Sequence, residues 1–433
     1  MNVTTTATRG GSSRARAIVV GGGILGVSTL YHLVENGWRD VVLIEKSGLT
    51  SGSTWHSSGD LGFAVTDPLH QWFVKQSAQL YQSLDPGTEN RAGWKNTGGL
   101  RLAYTADDER AFGGYLDIAG RGDVPLEIMS SDRAAGLHPL FDFRGVRCCL
   151  FSLRDGHVDP SGVTMLMAEH ARKAGAQLIQ RDRVAGIERE SGCWSVSTDA
   201  GHRWIADHVI VACGCYTPQI GRWFGMHLPV YSFLHHYFVT EAITELVNAE
   251  TALPIVRDED CGGYVRQEMK GLLIGTSEDR LPKRIWEDGV PWDEESPLFE
   301  PDFEAVGHLL AAAASRFPAL QRVGIKKAIR GAVTYTPDGR MLLGPLGSEE
   351  GLWVAAGASS GVAWGGGIGK CLADLITTGR STMSIDVLSP RRFDGETQSV
   401  LCEQATEFFV NRGKTRATRP TMPSRMPDNA PLS

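Results

Sequence analysis

The stretch from Ala17 to Glu45 constrains what this chain can fold into more than any other. Ala17-Ile-Val-Val20 is an apolar run of strand length, and Gly21-Gly-Gly-Ile-Leu-Gly26 follows it directly. Val27 to Val34 then carries helical periodicity, and Glu35-Asn-Gly37 reads as a helix stop. Asp40-Val-Val-Leu-Ile-Glu45 is a second strand that ends in an acid. Strand, glycine turn, helix, strand and acid in this order describe a dinucleotide-binding unit. Each glycine has a physical task. Gly21 permits the sharp turn, Gly23 lets a pyrophosphate reach the backbone, and Gly26 lets the helix pack close to the sheet. The helix N-terminus then faces the phosphate charge. Glu45 follows Gly26 by about 20 residues, the spacing of a carboxylate that receives ribose hydroxyls. Its charge disfavours a 2′-phosphate, but this unit alone leaves FAD and NAD unseparated.

A second unit far along the chain separates them. Tyr335-Thr-Pro-Asp-Gly-Arg-Met-Leu-Leu-Gly344 reads as a turn entering a strand, with Pro337 and Gly339 serving the turn. Leu352–Ala356 is the next strand, Gly357-Ala-Ser-Ser-Gly361 is a glycine loop, and a helix is expected from about Val362 to Ile376. That aims another helix N-terminus at the ligand. In a flavoenzyme this positive end suits the N1/C2=O edge, where the reduced ring carries negative charge. The paired arrangement favours FAD.

Composition narrows the partners. A formal net charge of −7 argues against nucleic acid held by bulk electrostatics. Polar residues break every apolar run before the roughly 18 residues that span a bilayer, so no membrane span is expected. The eight cysteines show no CxxC spacing and no zinc pattern with histidine, which predicts no metal and reduced thiols in a cytoplasmic protein. The first sixteen residues lack the apolar core of a secretory signal. Residues 1–13 and 411–433 read as disordered tails.

Gly52-Ser-Thr-Trp-His-Ser-Ser-Gly59 follows the second strand. Further along stand Gly156-His-Val-Asp-Pro160, Val209-Ile-Val-Ala-Cys-Gly214 and Tyr264-Val-Arg-Gln-Glu268. With Thr336–Gly339 and Val354–Gly357, these segments resemble the D-amino-acid-oxidase-like superfamily of flavoproteins. Within it the chain resembles the flavin domain of sarcosine and dimethylglycine dehydrogenases, from about Ala17 to Phe393. The resemblance implies an α/β fold in which a Rossmann-like FAD-binding domain, residues 14–95, 151–225 and 331–395, is interleaved with a mixed-sheet α+β substrate domain, residues 96–150 and 226–330. It implies cofactor contacts at Gly21, Gly23, Gly26, Glu45 and Lys46, and at Ser53, Thr54, Trp55 and His56. Val184, Gly214, Gly357, Ser359, Ser360, Gly361 and Val362 complete the implied set.

Relatives bond the histidine of the Trp-His segment to the flavin 8α-methyl, which implies covalent FAD through His56. Imidazole is a good nucleophile, and the methyl becomes electrophilic when the ring's negative charge is stabilised. The resemblance also implies a reaction centre at His235 and Tyr264. Neighbouring residues of a strand point to opposite faces, so only one of His235 and His236 faces the flavin, and by alignment it is His235.

The implied activity is oxidation of a secondary or tertiary amine, a small molecule of the N-methyl amino acid type. Hydride passes to the flavin, and the resulting imine is hydrolysed. Oxygen or an electron-transfer protein is the implied acceptor. Oxidation of a C–OH group and a non-catalytic role as an assembly factor are the alternatives. Two departures from the family bear on the substrate. The sequence ends soon after its flavin motifs, so coupling to folate is not expected. Where amino-acid oxidases carry a carboxylate-binding arginine, this chain has Val333, which leaves Arg266 or Arg330 as possible replacements.

Overall fold

The computed structural model describes residues 12–412, except 86, 88, 250 and 261. Two sheets organise it. In the first, the Ser12–Val20 strand pairs in parallel with Val41–Glu45 on one side and Arg203–Val211 on the other. Val41–Glu45 pairs onward with Gln177–Gln180, also in parallel. The far edge of Arg203–Val211 is shared. Its first half pairs antiparallel with Cys193–Thr198, and its second half pairs in parallel with Leu352–Ala356. Ala17 to Val20 and Val41 to Ile44 are buried without alternation. That is the pattern of parallel strands covered on both faces.

The helix Ile24–Glu35 packs beside Gly361–Thr378, which also lies against Pro68–Leu84. Here the glycines of Gly365–Gly367 serve neither a turn nor a ligand. A Cβ at Gly366 would lie 2.7 Å from Ser77 Cα, and one at Gly367 2.6 Å from Phe73 Cα. These residues let two helices approach more closely than side chains allow.

The second sheet has nine strands, in an order that runs Arg284–Ile285, Tyr231–Thr240, Gly271–Thr276, Gly263–Glu268, Ile255–Asp258, Gly99–Ala103, Cys148–Ser152, Leu126–Ser130. Ile325–Tyr335 joins it along Tyr231–Thr240. The sheet is mixed, because Ile255–Asp258 and Gly99–Ala103 run parallel while their neighbours run antiparallel. One face carries Leu100, Leu102, Val256, Val265, Leu272 and Ile274 in a single apolar cluster with Ala313 of the Phe303–Arg316 helix. At the alternate positions Arg101, Arg257 and Tyr264 line a cavity, while Ala103, Cys148 and Leu150 pack on Phe112 and Tyr115.

Both chain ends differ from the sequence reading. Ser12 and Ser13, expected in a tail, pair with Arg203 and Trp204. Backbone pairing along Arg203–Val211 extends the strand beyond its apolar part. Asn411, expected to open the other tail, ends a helix at Gln398–Asn411. Phe409 of that helix stacks on Phe233 at 4.5 Å and buries against Tyr335, which holds it on the second sheet. The remainder of both expected tails, residues 1–11 and 413–433, lies outside the described residues. Among the described residues no helix is long and apolar enough to cross a membrane.

Candidate active site

The loop after Glu45 is tied to both sheets. Thr54 Oγ1 accepts from the Ile24 N–H at 3.1 Å, at the head of the first helix. Ser53 Oγ donates to the Ala332 carbonyl at 2.6 Å, on the second sheet. Between these ties His56 lies against Gly331, where a Cβ would stand 2.5 Å from His56 Cε1. Only a bare backbone lets the imidazole settle there. Burial first, then the neighbouring His235, hold the His56 pKa down at about 4, so the ring is neutral at pH 7.

One cavity of about 510 Å³ lies between the sheets. Gly21, Gly23, Glu45 and Lys46 line it from the first unit, with Ser53, Thr54 and His56 from the loop. Val184 and Gly214 line it further along, as do Gly357 and Ser359 to Val362 from the second unit. His235 and Tyr264 face it from the second sheet. Gly26 and Trp55 do not line it. A Cβ at Gly26 would stand 2.0 Å from the Gly21 carbonyl, so Gly26 packs helix against turn. Trp55, expected against the cofactor ring, instead meets His56 edge-on at 5.5 Å. The two rings lie at 89° to each other, the T-shaped contact that aromatic neighbours favour.

The cavity fits FAD at its nucleotide end. Gly21 has φ +112°, and a Cβ there would stand 2.3 Å from the Ala212 carbonyl, so the turn admits glycine alone. The helix beginning at Gly361 has no side-chain cap, which leaves first-turn N–H groups directed at the cavity wall. Glu45 Oε2 accepts from the Gly22 N–H at 2.6 Å and Oε1 from the Ser47 N–H at 2.8 Å, which fixes the carboxylate at the loop. Lys46 donates to Ser47 Oγ at 3.0 Å and to the Glu294 carbonyl.

At the other end the two histidines separate as strand alternation requires. His236 is 1% exposed, and the Asp302 N–H donates to its Nε2 at 3.1 Å. His235 lines the cavity. Both Nδ1 atoms reach one buried carboxylate, Glu278, at 2.9 Å from His235 and 3.0 Å from His236. Glu278 also receives the His236 N–H at 2.8 Å, the Thr276 hydroxyl at 2.8 Å and the Arg412 guanidinium. Burial would raise this carboxyl, but His235, His236 and Arg412 together hold it well below the usual range. An ionised carboxylate only accepts, so the hydrogen of His235 Nδ1 is directed at Glu278. Tyr264 lies over Gly275, where a Cβ would stand 2.0 Å from Tyr264 Cζ. Burial, then Asp60, raises its phenol pKa, so the hydroxyl stays protonated.

The two arginines raised as replacements at Val333 are both engaged with acids. Arg266 is buried against Asp60 at 3.0 Å and Glu268 at 2.5 Å. Arg330 bonds Asp302 at 3.2 Å and does not line the cavity. Sequence reasoning missed Glu278 and Arg412, and it passed over Arg101, which lines the cavity. The signal for Arg101 was a charge between core leucines in Gly99-Leu-Arg-Leu-Ala103. Among the described residues no group of His, Cys, Asp and Glu could hold a metal ion.

Two glycine-loop helix starts at one cavity, roofed by a second sheet that presents an imidazole and a phenol, define a two-sheet flavoprotein of the oxidoreductase class. The chain belongs to the FAD dependent oxidoreductase family (DAO), whose model matches residues 16–375. It is 32% identical over 385 residues to human mitochondrial dimethylglycine dehydrogenase, covering 88% of this chain and 44% of that protein. It is also 32% identical over 390 residues to the formaldehyde-forming 4-methylaminobutanoate oxidase of Paenarthrobacter nicotinovorans, covering 88% and 46%. The chain thus spans about half the length of the curated relatives it matches. L-proline dehydrogenase from P. horikoshii shares the fold with a TM-score of 0.77 at 24% identity, over 88% of this chain and 98% of that one.

Proposed function

We propose that this protein oxidises the C–N bond of a secondary or tertiary amine of the N-methyl amino acid type, using FAD held covalently through His56. The observation that carries the reading is the Glu278–His235 pair in the cavity that both glycine loops enter. Bound FAD supplies the two-electron acceptor for the amine's α-C–H hydride. This chain's residues do the rest. With Nδ1–H given to Glu278, His235 presents an Nε2 acceptor that takes a proton from the amine. A neutral amine keeps the lone pair that assists loss of hydride, and burial in the cavity favours that neutral form. The Tyr264 hydroxyl orients the nitrogen. Water then hydrolyses the iminium to an aldehyde and the dealkylated amine, and oxygen or an electron-transfer protein takes the electrons onward.

The names of the relatives support this substrate class, since they act on dimethylglycine and 4-methylaminobutanoate. His56 has the neutral imidazole that covalent attachment requires. The seven described cysteines are all free thiols, which supports a cytoplasmic setting. The test is anaerobic bleaching of the flavin across a panel of N-methylated and cyclic amines, with aldehyde measured in the product. Bleaching by an alcohol to give a ketone, or by no compound at all, refutes the proposal.

A further inference from the structure

We infer that Arg101 binds the carboxylate of the substrate, a step that rests on the amine-oxidising reading and names the acidic half of its substrate. The registers of the second sheet align one row of residues across it. Tyr237 pairs with Gly275, Gly275 with Tyr264, Tyr264 with Arg257, and Arg257 with Arg101. Directly paired residues point to the same face, so this row shares the face of Tyr264. Tyr237, Tyr264, Arg257 and Arg101 all line the cavity.

Two cations therefore stand in the row, and they are not alike. Arg257 donates to the buried Asp155 at 2.6 Å, so its charge is matched within the protein. The other cavity arginines are also matched, Arg183 by Asp199 at 2.7 Å and Arg412 by Glu278. Among the described residues no carboxylate lies within salt-bridge distance of Arg101. Its Nε is buried and makes no hydrogen bond. Its guanidinium lies over the Tyr115 ring, 5.0 Å from the centroid, which holds the side chain in place without neutralising it.

A buried guanidinium N–H without an acceptor is costly unless a ligand satisfies it. A planar carboxylate matches the guanidinium fork. Arg101 and Tyr264 stand two strands apart, about 10 Å between backbones at the usual strand spacing. A small amino acid spans that gap once both side chains extend into the cavity that they line. Arg101 thus does the task that Val333 cannot do and that Arg266 and Arg330 are not free to do.

The experiment uses the FAD-loaded protein and titrates acetate, propanoate and butanoate, each against its amide, by calorimetry. At least one carboxylate should bind saturably while its amide does not. Arg101→Met keeps the stem over Tyr115 and should weaken that carboxylate by about 100-fold. Arg101→Lys keeps a charge and should recover part of the loss, and the flavin spectrum of both variants should match the wild type. With an N-methyl amino acid, Arg101→Met should raise KM far more than it lowers the limiting rate of flavin reduction. Equal binding of acid and amide, or equal binding to wild type and Arg101→Met, overturns the inference. Failure of the amine reading is distinguishable, because it shows as a wild-type flavin that no amine reduces while the calorimetric arm still reports on Arg101.

Discussion

Glu278→Gln tests the reaction centre at its least replaceable point. All five groups around the carboxylate donate to it: His235, two from His236, Thr276 and Arg412. A glutamine oxygen can keep the partners of one carboxylate oxygen. Its NH₂ then meets donors at the other position, where His235 and Arg412 stand. Removing one member of a buried ion pair costs about 3–5 kcal/mol, and Arg412 is left without its anion. To avoid a donor facing a donor, His235 must adopt the other tautomer, which places its proton on Nε2 and removes the cavity-facing acceptor. General-base catalysis is worth about 10²–10⁴-fold, so flavin reduction should slow by at least about 10²-fold.

The assays are anaerobic stopped-flow reduction and denaturant unfolding as a function of pH. Because the folded carboxyl is held below its usual 4.5, its stabilisation is complete above that pH and is lost as pH falls towards the folded value. Wild type should lose this contribution on acidification, and Glu278→Gln should not have it to lose. Glu278→Gln/Arg412→Met should recover part of the stability, because neither charge is then stranded, but not the rate. A single variant with wild-type reduction rate and unfolding midpoint would refute the reasoning.

Four further outcomes are expected. Acid precipitation should leave flavin in the wild-type pellet and free FAD in the supernatant of His56→Ala, and flavin released from wild type would exclude attachment. The neutral imidazole behind that bond, with its pKa near 4, makes the rate of attachment flat from pH 6 to 8 and lower as pH falls towards about 4, read by mixing apoprotein with FAD. Gly331→Ala should displace His56, given the 2.5 Å approach, so that most flavin becomes acid-extractable while far-ultraviolet dichroism stays unchanged. Tyr264→Phe should slow flavin reduction by about 10-fold, the worth of one lost hydrogen bond, without altering the flavin spectrum.

The nucleotide half of this protein was legible in the sequence because its physics is local. A strand, a glycine turn and a helix start are set by neighbouring residues, so Gly21, Gly23 and the Gly357–Gly361 loop could be placed before any fold was known. Alternation along one strand was likewise enough to separate His235 from His236. What the sequence could not supply were distances between remote segments. Glu278 lies 43 positions from His235, and Arg412 lies 134 from Glu278. Nothing in their local sequence marks the carboxylate that fixes a tautomer or the helix end that neutralises it. The arginines make the same point. Arg101, Arg257, Arg266 and Arg330 each read as a charge in a strand, and sheet register together with acids from elsewhere in the chain decides which one keeps its charge unmatched. Local backbone geometry is written in contiguous residues, whereas the charge state and orientation of a buried group depend on everything that packs around it.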